Sequence, residues 1–255
     1  MGKIWSGRHN ISDLMLEIAK GDIAGHSSVN KFGANGDIAK NTTEDIWDGG
    51  GDYPFPTTAD ITHIHQEADQ VAMRGGVIEM QGLDADWNKI TQTKALDASD
   101  TTTLVAIDTP MIRVFRARVL ADVVIDSAVH VDDSTGLIIY ATMAAGNNQT
   151  LMAIYTVAAG YTAYITKYYC TVIDATNKSP TSTRFGLWMA DRANGYEFQV
   201  KHAVGIPQHG SMVEHQFLPY AGKITEKVDI KITALPLDEN ADVAAGFDLI
   251  LVEND

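Results

Sequence analysis

The chain has 255 residues, 45% of them hydrophobic and 20% charged, with a formal net charge of −14. That length suffices for one large β-domain or two small ones, and the acidic balance argues against a phosphate-neutralising surface, so nucleic acid is not an expected partner. No apolar run approaches the ~20 residues of a membrane-spanning helix, and the single cysteine, Cys170, excludes an internal disulfide; beside Tyr168, Tyr169 and Val172 it reads as a buried small hydrophobe.

The opening, MGKIWSGRHN, has neither an apolar core nor a small-residue cleavage site, so no signal peptide is expected. Gly2 and Ser6 fit a loose acylation pattern, but one acyl chain anchors weakly and no membrane partner is inferred. Asn10 is placed to cap a short helix, with Ile11, Leu14, Met15 and Ile18 at helical spacing and Gly21 positioned to end it. Gly25, Gly33, Asn35, Gly36, Asn41 and Gly49-Gly50-Gly51 follow, with Pro54 and Pro56 behind them, and such a stretch should not hold regular structure for long. It nevertheless keeps more large apolar side chains than a disordered linker carries. The expectation is an irregular N-terminal arm, residues 1–60, lying against partner subunits through Phe32, Ile46, Trp47, Tyr53 and Phe55. Each would contribute about 1.5–3 kcal/mol if fully buried. The alternative is that these side chains pack on the chain's own body.

Residues 61–255 read as a β-rich body. Ile78 and Met80 lead into Gly82-Leu83-Asp84-Ala85-Asp86 and then Thr91-Gln92-Thr93, a strand, turn and strand. Tyr196, Phe198, Val200 and His202 alternate with polar residues, as do Val228, Ile230, Ile232 and Ala234, the pattern of strands with one buried face. The stretches 111–120, 136–141, 151–157, 161–173 and 247–252 are rich in β-formers. Turn signals at Gly146-Asn147, Ala159-Gly160, Asn194-Gly195 and Ala221-Gly222 divide them. The fold class expected is mainly β, a sandwich or jelly-roll-like body of one large or two small units.

Motifs that could carry chemistry are incomplete. Asp84-x-Asp86-x-Asn88 opens like a calcium loop, but Lys89 and Ala95 stand where Gly and a bidentate Glu are needed, and a polar hairpin turn is the better reading. His63 and His65 share a strand face without further ligands at zinc spacing, so no metal is expected. Gly25-His26-Ser27 is no nucleophile elbow. The glycine runs at 33–36 and 49–51 lack the Lys-Ser/Thr of a phosphate loop. Asp132-Asp133 reads as a solvated turn before Ser134-Thr135-Gly136. Arg113, Arg116 and Arg118 are spread through an apolar strand. No catalytic residue and no cofactor is inferred.

Several segments carry a resemblance: 19–27 (AKGDIAGHS), 30–33 (NKFG), 44–51 (EDIWDGGG), 82–84 (GLD), 146–150 (GNNQT), 154–157 (IYTV) and 245–254 (AGFDLILVEN). Together they make the chain similar to a family of virion structural proteins of marine and freshwater tailed phages. The resemblance implies a non-enzymatic structural protein and no active-site residues. The role expected from it is capsid decoration or cementing on the capsid exterior. The partners would be the major capsid protein or other virion subunits, and a homo-oligomer, most simply a trimer, would suit the lattice. The alternatives are a tail or neck adaptor, a fibre-attachment component, and a receptor- or glycan-binding module.

Overall fold

Helix α1 spans Ile11–Lys20, as the apolar spacing predicts. Ile18 is buried, while Leu14 and Leu16 stay exposed. Gly21 at φ 81° ends it: its N–H donates to the Ile18 carbonyl and that of Asp22 to Glu17, the paired bonds of a Schellman stop. Asn10, its expected cap, lies outside the described residues. This computed structural model describes residues 11–173, 180–191, 195, 197–207, 213–216 and 222–254.

The chain is mainly β, with antiparallel sheets and a sandwich body. In one sheet β1 (His26–Ile38) pairs with β15 (Ala241–Glu253), β15 with β10 (Tyr161–Ile173), and β10 with β13 (Val213–Gln216). A second sheet runs β12 (Gln199–Pro207), β11 (Ser182–Ala190), β14 (Asp229–Leu237) and β2 (Glu44–Asp45), and β9 (Ile154–Thr156) also pairs with β14. These two sheets share a core. From β15 it takes alternate residues, Ala241 through Leu251, and from β14 it takes Ile230, Ile232 and Ala234.

The third sheet orders β5 (Lys89–Ala95), β4 (Val77–Asp84), β6 (Val105–Val119), β3 (Ile61–Gln66), β7 (Val129–Asp132) and β8 (Ile139–Met143). It curls until the segment after β8 returns to β6: Val119 N–H donates to the Asn148 carbonyl, and Thr150 N–H to that of Ala117. A second core, including Ile64, Met80, Met111, Val131 and Met143, fills the curl. Ile112, Phe115 and Leu83 point out of this sheet into the sandwich core, so one body has two adjoining cores.

The predicted hairpin is β4 and β5, joined by a polar turn in which Asp84 Oδ1 accepts from the N–H groups of Asp86 and Asn88, each at 2.9 Å. Several pairings shift register, and two of these shifts change which residues of a strand face inward. In β10 the register slips between Ile165 and Lys167, so the inward set changes from Ala163 and Ile165 to Tyr168, Cys170 and Val172. In β12 a bulge beside His202 turns Val200 outward, 47% exposed, although it was expected to face the core. Tyr196 of that pattern lies outside the described residues.

The separate N-terminal arm is corrected by the structure. Residues 26–38 are the longest stretch of partner-pairing that β15 has on that side, and residues 44–45 pair with β14. Gly33 and Asn35, read as breakers, are strand residues with specific work. A side chain on Gly33 would place Cβ 2.4 Å from the Ala153 nitrogen and 2.5 Å from the Ile46 carbonyl oxygen, so only glycine lets the backbones touch. Asn35 is buried and donates to Glu44 Oε2 and to the Asp45 carbonyl. Gly33→Ala should therefore cost about 1–3 kcal/mol by forcing rigid backbones apart, read as a lower urea midpoint. A change within error would mean that β1 is not seated this tightly.

Candidate functional site

Two constellations stand out, a sealed polar junction between the cores and a basic cavity beside β1. The junction is centred on Arg113 of β6, 2% exposed, and Asp229 of β14, fully buried. Its geometry is two-pronged: Nε to Oδ1 at 2.9 Å and Nη2 to Oδ2 at 2.8 Å. Thr156 Oγ1 donates to the same carboxylate, and Nη1 donates to the Pro56 and Ile112 carbonyls. Every polar atom of the pair that the low-dielectric interior would penalise thus has a partner. Nearby, Lys231 meets the buried Asp45 at 2.7 Å; burial pushes the Asp45 carboxyl up, against the pull of Lys231.

Four of the five expected partner-binding residues meet this junction or the cores. Ile46 is fully buried, and Trp47 and Tyr53 are each 4% exposed, so none of the three can anchor a neighbouring subunit while the chain is folded. Trp47, Tyr53 and Phe55 stack edge-on in sequence, with centroids 5.3 and 4.7 Å apart, and Phe198 extends the ladder at 4.9 Å. Arg113 lies over Phe55 and Lys231 over Phe198. Trp47 and Tyr53 close the end of the curled-sheet core. Phe32 stands apart, half-buried under Arg116. The apolar side chains most open to solvent among the described residues are others: Leu137 at 83% exposure, Val71 at 72% and Val124 at 62%, the last two at one end where Gln70 donates to the Val124 carbonyl.

His63 and His65 lie on β3, but the pair that forms is His65 with Asp132, Nδ1 to Oδ2 at 2.6 Å. His130 stacks on His65, and burial together with that neighbour holds His130 below its ordinary value. Asp132 is fully buried, which corrects the solvated-turn reading; only Asp133 occupies the turn, accepting from Thr135 and Leu137. Among the described residues no group of three or more His, Cys, Asp or Glu is placed to hold a metal. Cys170 is buried, and burial pushes its thiol up.

The cavity is bounded by β1, β4, β5 and β6 and holds Lys31, 5% exposed, whose ammonium donates to the Phe115 carbonyl. Burial, reinforced by Arg116, lowers Lys31 from its ordinary 10.5 to about 7. In the unfolded chain the ordinary value returns, so between about pH 7 and 10 the unfolded state binds more protons and stability rises with pH on this account. Lys31→Met should remove that slope and stabilise the chain at pH 7 by about 2–4 kcal/mol, the linkage equivalent of the shift less the hydrogen bond to the Phe115 carbonyl that Met gives up. The check is urea unfolding of both proteins at pH 7 and 9.5; parallel pH dependences would contradict it.

Sequence reading missed Arg113, Asp229 and Lys31. The available signal was a charge inside an otherwise apolar run: Met111-Ile112-Arg113-Val114-Phe115 leaves Arg113 no solvent face if both faces of the strand are covered.

Against known proteins, the chain matches no family model and no curated protein. Among solved structures it is similar to a bacterial lipoprotein from Bacteroides thetaiotaomicron, with a TM-score of 0.19 and 9% identity over 89% of each chain. It is also similar to a structure of infectious bursal disease virus, Gt strain, with a TM-score of 0.20 and 8% identity over 90% of this chain and 73% of that one. Likeness at this level carries no argument about fold or function.

Proposed function

We propose that the chain is a structural protein of a tailed-phage particle that binds the exterior of the capsid and reinforces the shell, as a homo-oligomer for which a trimer fits a local threefold. The observation that carries this reading is where the phage-like segments lie. Asn30–Gly33 pair with Ala245–Asp248, Gly33 packs on Ile46 and Met152–Ala153, and Asn148–Thr150 close the curled sheet on β6. Most of the resembling text, scattered along the sequence, therefore lies together in the framework of the fold, while 19–25, the helix end and the turn after it, and Gly146-Asn147 lie at the surface. The buried, two-pronged Arg113–Asp229 pair likewise ties the two cores together, which suits a protein whose work is mechanical.

Attachment would use side chains that the fold leaves in solvent, among them Val71 and Val124, which lie together at one end. Bridging many subunits makes weak contacts act together. The test adds purified protein to capsids lacking their own copy and measures co-sedimentation and the temperature of capsid disruption. Bound protein should raise that temperature. Val71→Asp with Val124→Asp should weaken binding while shifting the chain's own stability by no more than about 0.5 kcal/mol per site, as exposed positions do. Capsids that neither carry the protein down nor gain heat resistance would contradict the proposal.

A further inference from the structure

A cavity of about 370 Å³ lies between edge strand β1 and the β4–β5 hairpin, with β6 behind it, a volume in the range of small-ligand sites. Lys31, Lys89 and Arg116 line it, with Asn30, Gln81 and Thr91, and among the described residues no carboxylate lines it, in a chain of net charge −14. Such a cluster runs against the average charge of the molecule and needs a local reason. Lys31 is the telling member. Its ammonium is almost wholly removed from water, its described hydrogen-bond partner is a carbonyl, and the nearby charge of Arg116 has the same sign. Glu79 neighbours Arg116 but is held two-pronged by Arg118, at 2.8 and 3.1 Å. A buried cation without a counter-ion is costly, and an anion entering the cavity would offset both its desolvation and the repulsion. The stacked rings of Phe115 and Tyr155, 4.5 Å between centroids, give the same cavity an apolar wall.

We propose that this cavity binds an oxyanion, a phosphate or carboxylate group carried by a small ligand, with Lys31 at its base, Arg116 beside it and Lys89 at its mouth. The site is independent of any role in a virus particle and would persist if that role were excluded. Titration calorimetry of the full chain at pH 6.5 and low ionic strength tests it, with inorganic phosphate and D-glucuronate as the two probes and D-glucose as the neutral control. Saturable binding of either charged probe is expected, reduced at least about tenfold by Arg116→Gln and by Lys31→Met, in keeping with loss of a charge-assisted contact. Lys94→Gln, which removes a cation paired with Asp108 outside the cavity, should leave it unchanged. Whichever probe binds more tightly identifies the ligand as phosphate-bearing or as an acidic sugar. Saturation by neither charged probe, binding of glucose as tight as that of glucuronate, or equal affinity in all variants would overturn the proposal. Lys31→Met is expected to fold at least as stably as the parent, so loss of binding in it reports on the site.

Discussion

Arg113→Met should destabilise the chain by about 3–5 kcal/mol, the cost of stranding one partner of a buried ion pair. The side chains are of similar length, so little cavity is left and the loss is electrostatic. Asp229 would remain fully buried with Thr156 as its hydroxyl donor, since Lys231, two residues along β14, is committed to Asp45. Adding Asp229→Leu to that variant should recover much of the loss, because two apolar groups of matching size ask nothing of the interior. Urea unfolding of the single and double variants at pH 7 gives both numbers. A single-variant cost under about 1 kcal/mol, the level of an exposed pair, would mean that the junction is open to water.

Trp47→Ala should cost a further-reaching 3–5 kcal/mol or about that, the range for deleting a large aromatic from a core. The indole is 4% exposed, stacks on Tyr53, donates to the Gly51 carbonyl and bridges through its backbone to Met152. Removing residues 1–56 should do more and abolish the cooperative transition. It would uncover the edge of β15 along the whole of β1, take Ile38 and Ile46 from the sandwich core, and take Trp47 and Tyr53 from the other. Thermal melting followed by circular dichroism decides it: a truncated chain that still melts cooperatively near the parent temperature would restore the separate arm.

The strands were largely legible because period-two burial writes itself into sequence wherever one face is dry, as at 227–234 and in the 77–95 hairpin. What stayed hidden depends on partners far along the chain. Gly33 looks like a breaker until the Ile46 and Ala153 backbones are placed against it, and then the missing side chain is the reason a strand fits there. The slips at Ile165–Lys167 and beside His202 reverse which residues face inward, and no local pattern announces a bulge. For the same reason Asp229 read as the wet side of β14, although Arg113 arrives from a strand 116 positions away to bury it. The aromatics at 47–55 are legible from sequence as too many for a linker. Their covering surface proved to be the chain itself.

Whether the chain reinforces the outside of a capsid is decided by counting its copies in purified virus particles, by quantitative mass spectrometry against the major capsid protein. Hundreds of copies per particle are expected, in fixed proportion to the shell subunit. A count of about six to twelve, the stoichiometry of closed rings in a tail or neck, or no copies at all, would contradict it.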